Sequence, residues 1–271
     1  MKRKISITMN EKTIKEVDSM VNGISIRNRS QAIEFLVNKS LGENKVAVIL
    51  AGGNEKNIKI GDQYKPTLKI GDTTVIESGI KKLRENGFKD IYIIARRNVL
   101  TKIFKVIGNG ESYGVNVEFI EEKKTSGSAE SLRLLKGKVK KTFLVVYCDI
   151  IFNEINLKAL WREHVRQKSI TTLLISSSTI AREEVGTVKM EGGRIVEFVE
   201  KPKEPESYVF FSGVFVSDPE ILEYGGSSLE KDVFSQLVER GLISGHLSSK
   251  KYLHLDGEED IRKIKTYLGK Q

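Results

Sequence analysis

Several residue types that mark particular classes of protein are scarce in this chain. It has one cysteine, Cys148, in 271 residues, so it can form no internal disulfide, and this is compatible with a reducing compartment. The three histidines, His164, His246 and His254, are scattered without the spacing of zinc ligands. No apolar run approaches the roughly 18 residues that span a bilayer, and the alternating start at 5–8 is unlike a signal peptide. These absences predict a cytoplasmic protein without a membrane segment.

Basic residues outnumber acidic ones. The chain has 45 Lys and Arg against 36 Asp and Glu, which gives a formal net charge of +9. Such an excess favours an anionic partner such as nucleic acid, a nucleotide or a phosphorylated substrate. A lysine-rich solvated surface explains the charge equally well, so charge alone does not decide the function.

The first 43 residues have the pattern of a strand followed by two short helices. Alternation over 4–9 places apolar and polar side chains on opposite faces of a strand. Asn10 is expected to cap a helix over about 11–21, and Ser30 is expected to cap a second helix over 30–42. A unit of this size cannot bury an adequate core alone, and its strand has no partner. Two copies are therefore predicted to pair their strands as an antiparallel ribbon.

Residues 5–10, Ile-Ser-Ile-Thr-Met-Asn, and 29–33, Arg-Ser-Gln-Ala-Ile, resemble the ribbon-helix-helix family of DNA-binding proteins. The resemblance covers residues 1–43 and implies a homodimer or higher homo-oligomer whose ribbon lies in the major groove of double-stranded DNA. In that family the outward strand residues read base edges, and the start of the second helix receives a phosphate. The positions implied to contact DNA are Lys4, Ser6, Thr8, Arg29 and Ser30. A dimerisation device with a merely solvated polar face is the alternative.

From residue 44 to 271 apolar strands alternate with amphipathic helices. The predicted strands lie at about 46–50, 90–95, 115–120 and 142–147, and the predicted helices at about 75–86, 100–109 and 128–135. This alternation implies a Rossmann-like α/β domain, with a mostly parallel sheet and helices on both faces. Beyond Ile170 the strands become more frequent and a hairpin turn is expected at 191–194, so the sheet is predicted to become mixed there.

Several short motifs follow one another along this domain. They are Leu-Ala-Gly-Gly at 50–53, Lys65-Pro66, Gly127-Ser128-Ala129, Asp149 at a strand end, Glu200-Lys201-Pro202, Ser212-Gly213 and Leu255-Asp256-Gly257. Ligands of open α/β sheets bind beyond the carboxyl ends of the strands, where the first glycines and Asp149 are expected to lie. Glycines permit close approach of the backbone to a base or phosphate, and carboxylates suit magnesium.

In their order and spacing these motifs resemble those of the sugar-1-phosphate nucleotidyltransferases, from about residue 45 to the C-terminus. The resemblance implies a Mg²⁺-dependent reaction in which an NTP and a sugar-1-phosphate give an NDP-sugar and pyrophosphate. It implies catalytic roles for Lys65, Asp149 and Lys201, and metal binding by Asp149 and Asp256. Nucleotide binding is implied for Leu50, Ala51, Gly52, Gly53, Gly127 and Ser128. Sugar-phosphate binding is implied for Gly186, Glu200, Lys201 and Gly213.

The loop after the glycine pair departs from the family pattern. Residues 54–59, Asn-Glu-Lys-Asn-Ile-Lys, lack the third glycine and the arginine of the family's Gly-x-Arg-type signature, which stabilises the departing pyrophosphate. Lys56 or Lys59 would have to supply that charge, although lysine lacks the bidentate fork of arginine. Cys148 and Glu130 also depart from the pattern, where a glycine and a small residue are usual. Two functions stay open: an active nucleotidyltransferase coupled to DNA binding through its N-terminal module, and an inactive transcriptional regulator that senses a nucleotide or NDP-sugar.

Overall fold

In a computed structural model the chain separates into two compact units, Met1–Asn44 and Lys45–Gln271. The structure describes residues 5–21, 23, 26–42, 45–124, 127–167, 169–177, 185–204, 207–250 and 252–268.

Within its described residues, the smaller unit contains two helices. Helix α1 (Glu11–Ser19) begins after Asn10, whose side chain accepts a hydrogen bond from the backbone N–H of Thr13 at 2.8 Å. Helix α2 spans Arg29–Gly42. The predicted cap at Asn10 is confirmed, because its side chain satisfies a backbone donor of the first helical turn.

Helix α2 begins at a different cap from the predicted one. The side chain of Asn28 accepts a hydrogen bond from the backbone N–H of Gln31 at 3.0 Å, so Asn28 caps this helix and Ser30 lies in its first turn. The prediction of Ser30 as the cap is wrong. Both residue types favour the capping position, and the apolar pattern does not distinguish two such residues so close together.

The predicted strand over 4–9 is absent from the described residues 5–10, which are extended without strand pairing. Ile5 and Ile7 are 76% and 53% exposed. A strand exists only through hydrogen bonds to a neighbouring strand. The expected ribbon takes one strand from each of two copies, and a single chain contains only one of them.

The larger unit, over its described residues, alternates strands and helices. Its strands are β1 (Lys45–Ala51), β2 (Lys59–Ile60), β3 (Gln63–Tyr64), β4 (Lys69–Ile70), β5 (Thr73–Thr74), β6 (Phe88–Ala95), β7 (Asn116–Glu121), β8 (Phe143–Tyr147), β9 (Ile150–Ile151), β10 (Thr171–Ser177), β11 (Thr187–Glu191), β12 (Arg194–Val199), β13 (Val209–Ser217), β14 (Ile243–Leu247) and β15 (Leu253–His254). Its α-helices are α3 (Val75–Glu85), α4 (Arg97–Ile107), α5 (Ser128–Arg133), α6 (Leu157–Arg166), α7 (Phe234–Glu239) and α8 (Glu258–Leu268). Among the described helices, none combines the length and apolar character that a membrane span requires.

In the described part of the chain nine strands form one sheet, in the order β10-β14-β12-β11-β13-β8-β1-β6-β7. Strand β1 runs parallel to β6 and β8 on either side, and β7 continues the parallel arrangement on β6. Strand β13 pairs antiparallel with β8 and β10, and β11 pairs antiparallel with β12. The sheet is therefore parallel in its first half and becomes mixed beyond Ile170, as predicted.

The register of the parallel strands brings several loops to one edge of the sheet. Leu50 of β1 lies beside Ile94 of β6 and Tyr147 of β8. The segments that follow these strands therefore emerge next to one another. Alternate residues of β1 face two cores, with Ile49 packed on the face covered by α3 and α4, and Leu50 on the face covered by α5 and α7.

Candidate functional site

A cleft of about 570 Å³ opens where β8 and β15 end. Every residue predicted for catalysis, metal binding or sugar-phosphate binding lines it: Lys65, Asp149, Gly186, Glu200, Lys201, Gly213 and Asp256. These positions come from segments far apart in the sequence, so the fold gathers them into one place. The predicted nucleotide-binding residues lie outside this lining.

Lys65 forms the buried base of the cleft, with 6% of its side chain exposed. Its Nζ atom lies 3.4 Å from Asp149 Oδ2 and 3.3 Å from Asp256 Oδ1. Burial disfavours the charged ammonium, but the two carboxylates outweigh that effect and raise the pKa of Lys65. The lysine therefore stays protonated and holds two carboxylates from different loops close together.

His254 completes this group, although no motif in the sequence indicated it. Its Nδ1 atom is hydrogen-bonded to the carboxylate of Asp256, and its Nε2 atom lies 3.8 Å from Asp149 Oδ1. The hydrogen bond from His254 lowers the pKa of Asp256 to about 2, against the opposing effect of burial. Burial opposes a charged imidazole, but the bond to Asp256 and the charge of Asp149 raise the pKa of His254. The signal available in the sequence was spacing, because residues two apart along an extended strand face the same side.

The donor atoms of this group suit a divalent cation. Asp149, His254 and Asp256 each offer one ligand atom, and these atoms lie within 4.8 Å of one another. Mg²⁺ is usually bound through one or two carboxylates together with substrate phosphates. The two aspartates fit that description, whereas imidazole is a more typical ligand of zinc or copper. Through its bond to Asp256, His254 is placed to orient that carboxylate.

The residues predicted to bind the sugar phosphate also line the cleft. Lys201 has a left-handed backbone, with φ of 47°, which is uncommon for a residue with a Cβ atom. Its side chain is 62% exposed, and its Nζ atom lies 4.0 Å from Glu200 Oε1. Such a conformation costs on the order of 1 kcal/mol and persists where the surrounding structure imposes it. The turn after β12 therefore presents an accessible cation at the cleft.

Two glycines in the cleft are required by packing. A Cβ atom at Gly186 would lie 2.6 Å from Phe198 Cζ and 3.0 Å from Glu200 Oε2. A Cβ atom at Gly213, where φ is 75°, would lie 2.9 Å from Ile150 Cγ1. Larger residues at either position would push the cleft wall out of place.

Glu230 also lines the cleft, and no motif indicated it. It lies in the π-helical turn Leu229–Val233 and accepts hydrogen bonds from the Tyr147 hydroxyl, from Ser128 Oγ at 2.7 Å and from Ser228 Oγ at 2.9 Å. Burial, together with the charge of Glu230, raises the pKa of Glu200 to about 7. The sequence offered no signal for Glu230, because Ser128 and Tyr147, which connect it to the cleft, are far away along the chain.

The predicted nucleotide-binding segments meet at a buried carboxylate. Glu122, just after β7, is 1% exposed and accepts the backbone N–H of Gly53 at 3.0 and 3.1 Å. Ser131 Oγ lies 3.0 Å from Glu122 Oε2 and 3.1 Å from the carbonyl oxygen of Gly127. Gly52 lies directly under the carboxylate, because a Cβ atom there would overlap Glu122 Oε2. The structure thus brings residues 50–53 and 127–128 together through a residue that no motif indicated.

The sequence profile of the nucleotidyl transferase family matches residues 46–257. The chain belongs to this family. The predicted resemblance of the larger unit to nucleotidyltransferases is therefore confirmed, and the matched region contains Lys65, Asp149, Lys201 and Asp256.

Individual relatives agree with this family. The chain is 29% identical, over 233 residues, to the bifunctional IPC transferase and DIPP synthase of Aquifex aeolicus, covering 83% of this chain and 52% of the relative. It is 26% identical, over 219 residues, to the UTP–glucose-1-phosphate uridylyltransferase of Synechocystis, covering 72% of this chain and 56% of the relative. The chain thus spans about half the length of these curated relatives.

A solved structure shows the same fold. A Bacillus anthracis protein described as a glucose-1-phosphate thymidylyltransferase superposes with a TM-score of 0.74 at 22% identity. The match covers 82% of this chain and 94% of that protein. The predicted α/β nucleotidyltransferase fold is therefore confirmed.

In this member of the nucleotidyl transferase family, two lysines lie at the cleft in the loop 54–59, which lacks the family's arginine. Lys56 and Lys59 both line the cleft. Glu55, which would be unfavourable beside a triphosphate, instead accepts hydrogen bonds from the Tyr64 hydroxyl at 2.8 Å and from Asn98 Nδ2 at 3.2 Å. The carboxylate of Glu55 is thus hydrogen-bonded by Tyr64 and Asn98, while the ammonium groups of Lys56 and Lys59 belong to residues that line the cleft.

Cys148 stands directly before Asp149 and belongs to the core of the larger unit. Its backbone N–H donates to the carbonyl oxygen of Leu50 at 3.1 Å, and burial raises the pKa of its thiol well above the usual value. The prediction that this thiol lies in the core is confirmed. The other departure, Glu130, lies in the first turn of α5.

The residues predicted to contact DNA differ in their exposure and in their contacts within the chain. Ser6, Thr8 and Ser30 are exposed, and Lys4 lies outside the described residues. Arg29 forms an ion pair with Asp18, with its Nε and Nη2 atoms 2.7 and 2.6 Å from the two carboxylate oxygens.

Proposed function

We propose that residues 45–271 transfer a nucleotidyl group from an NTP to a sugar-1-phosphate. The observation that carries this proposal is the convergence of Lys65, Asp149, Asp256 and Lys201 in one cleft of a nucleotidyl transferase. An oxygen of the sugar phosphate attacks the α-phosphorus of the NTP, and the bond from that phosphorus to the oxygen bridging it to the β-phosphorus breaks. Pyrophosphate leaves with the electron pair of the broken bond, and the NDP-sugar remains.

Positioning and neutralisation of charge are the main requirements of this chemistry. The ammonium of Lys65, held by two carboxylates, offers a fixed positive charge at the base of the cleft. Mg²⁺ bound by Asp149 and Asp256 would supply further positive charge against the phosphate oxygens. His254 orients Asp256 and keeps it ionised.

The remaining cleft residues divide between the two substrates. Lys201 offers its exposed ammonium to the phosphate of the sugar, and Glu200 accepts hydrogen bonds from sugar hydroxyls. Lys56 and Lys59 face the departing pyrophosphate in place of the missing arginine. Because lysine is a point charge without the arginine fork, we expect slower turnover than an arginine at this place would allow.

Pyrophosphate release tests this function. The full chain is incubated with Mg²⁺, each NTP in turn and a mixture of sugar-1-phosphates, and compared with Asp149→Asn. Asp72→Asn removes a carboxylate from an exposed turn and serves as the matched control. Release by the wild type and Asp72→Asn, abolished in Asp149→Asn, supports the proposal. Nucleotide binding without release would favour the inactive sensor instead.

We further propose that residues 1–43 form a ribbon-helix-helix dimer that binds double-stranded DNA. The supporting observation is that Ile5 and Ile7 are exposed in the single chain, as are Leu36 and Val37 of α2. Apolar side chains on so small a unit are stabilised when a second copy covers them. With the strands paired, Lys4, Ser6 and Thr8 would share the outward face.

Association and DNA binding are tested on the full chain. Sedimentation should show a dimer that Ile7→Ser dissociates, because the substitution places a hydroxyl in the covered face. Binding to a mixed-sequence duplex of about 20 base pairs should weaken in Lys4→Ala, with the salt slope reduced by about one. Lys12→Ala, on the exposed side of α1, is the charge-matched control. Equal weakening by both lysine variants would favour the plain dimerisation device.

A further inference from the structure

A short two-stranded ribbon beside the cleft places one lysine against an aromatic ring. Strands β2 and β3 pair antiparallel, and Lys59 lies opposite Tyr64 in their register. Side chains that lie opposite each other on such a pair share one face of the ribbon. The Nζ atom of Lys59 lies 4.9 Å from the centroid of the Tyr64 ring, which is within the range of a cation–π contact. The ring therefore gives this ammonium a defined place.

The ring of Tyr64 is itself held by hydrogen bonds. Tyr64 is buried, and its hydroxyl donates to Glu55 Oε2 at 2.8 Å. The other oxygen of Glu55 accepts a hydrogen bond at 3.2 Å from Asn98 Nδ2, which belongs to α4. Burial and the bond to Glu55 raise the pKa of Tyr64, so the phenol keeps the proton that it donates. A continuous series of contacts thus connects α4 to the ammonium of Lys59.

Lys56 lines the same cleft from an exposed position in the turn Glu55–Ile58. A lysine side chain loses conformational freedom when it binds a phosphate, and that loss weakens binding. The contact with the ring already restricts Lys59 before a ligand arrives, so less freedom remains to be lost. The two lysines of the loop are therefore unequal, although both line the cleft.

We propose that Tyr64 and Glu55 are positioning residues that hold the ammonium of Lys59 for the departing pyrophosphate, and that Lys59 binds this product more strongly than Lys56 does. The inference rests on the proposed nucleotidyl transfer site and assigns a role to the altered loop within it. The face of a ring leaves the ammonium its N–H donors, so Lys59 can still bind phosphate oxygens. Glu55 then acts through Tyr64 and does not contact the ligand.

Equilibrium binding of inorganic pyrophosphate to the full chain with Mg²⁺ tests the inference. Lys59→Ala should weaken binding by about tenfold and Lys56→Ala by about threefold or less, because only the first ammonium is held in place beforehand. Lys69→Ala removes an exposed charge on β4 and is the matched control, which should bind as the wild type does. Equal weakening by Lys56→Ala and Lys59→Ala would overturn the inference.

Two changes at Tyr64 separate positioning from support of the fold. Tyr64→Leu removes the ring and should weaken pyrophosphate binding by about fivefold, whereas Tyr64→Phe loses only the bond to Glu55 and should weaken it by about threefold. In a Lys59→Ala background neither change should have a further effect, because the ammonium that the ring holds is absent. Tyr64→Phe carries the comparison alone if the leucine variant does not fold. A loss that is as large without Lys59 as with it would show that Tyr64 only supports the fold, and would overturn the inference.

Pyrophosphate release from an NTP, measured on the same proteins, distinguishes this inference from the proposed function. Release by a wild type whose affinity for pyrophosphate does not depend on Lys59 would overturn the inference and leave nucleotidyl transfer intact. Binding that depends on Lys59 and Tyr64 as stated, without release from any NTP and sugar-1-phosphate, would support the inference and refute nucleotidyl transfer.

Discussion

Replacing Gly52 with alanine tests the close contact at the end of β1. The methyl group would overlap Glu122 Oε2 and come within 2.8 Å of Ser131 Oγ, so the buried carboxylate must move. Its displacement breaks the hydrogen bond from Gly53, and hydrogen bonds to charged groups contribute about 1.5–3 kcal/mol each. The bond from Ser131 weakens as well. The φ of Gly52 is not positive, so alanine adds no backbone strain and recovers about 0.4–1 kcal/mol through the unfolded state.

The expected net loss for Gly52→Ala is about 3 kcal/mol of unfolding free energy, measured by urea denaturation of the full chain. Gly225→Ala is the matched control, because nothing lies within 4 Å of a Cβ atom there and its φ is not positive. In a Glu122→Ala background the same Gly52 substitution should cost less than about 1 kcal/mol, since the overlapping atoms are gone. If Gly52→Ala is as stable as Gly225→Ala, or equally destabilising in both backgrounds, the reasoning about this contact is wrong.

Two further changes test charges in the cleft. Lys65→Met should lower the unfolding free energy by about 1–2 kcal/mol in magnesium-free buffer, because Asp149 and Asp256 lose their shared counter-charge. The loss should be smaller with Mg²⁺, which restores positive charge between the two carboxylates. A melting temperature that depends on Mg²⁺ in the same way in the variant and the wild type would contradict this. Glu200 has its pKa raised from 4.5 to about 7, so its ionisation destabilises the folded chain progressively as pH rises from about 4.5 to about 7. Glu200→Gln cannot ionise and should be more stable than wild type by about 1–2 kcal/mol at pH 8, after allowance for solvent, and about equal at pH 4.5. Urea unfolding at both pH values measures this, and a constant difference would contradict it.

The sequence predicted those parts of the site that depend on local order along the chain. Lys65, Asp149 and Asp256 each stand beside a recognisable motif, and the edge of a parallel sheet collects residues that follow its strands. The resemblance implied metal binding by Asp149 and Asp256, but it did not indicate that both carboxylates contact the ammonium of Lys65. Lys201 was implied by the family resemblance, through the motif Glu200-Lys201-Pro202.

Other parts depend on contacts between distant residues, and these were not predicted. Glu122 accepts from Gly53, 69 positions away, and Ser128 donates to Glu230, 102 positions away. No spacing rule relates such pairs. His254 was not predicted, although its spacing from Asp256 was a signal, because an isolated histidine indicates no role until the fold brings Asp149 beside it.

The N-terminal segment shows that a sequence pattern can predict a strand without identifying its partner strand. Its alternating pattern predicted a strand at 4–9, but a strand needs hydrogen bonds from a neighbouring strand. Ile5 and Ile7 retain the apolar character of that pattern and are exposed in the single chain. The ribbon formed by two copies therefore stays a prediction, because a single chain supplies only one of its two strands.

The most direct test of nucleotidyl transfer follows the phosphorus atoms of the NTP by ³¹P NMR, with Mg²⁺, a sugar-1-phosphate and the full chain. The account predicts that the α-phosphorus signal moves to that of a pyrophosphate diester, while free pyrophosphate appears in equal amount, and that Asp149→Asn shows neither. An unchanged NTP with every base and sugar phosphate, or its conversion to NDP and inorganic phosphate, would contradict the account.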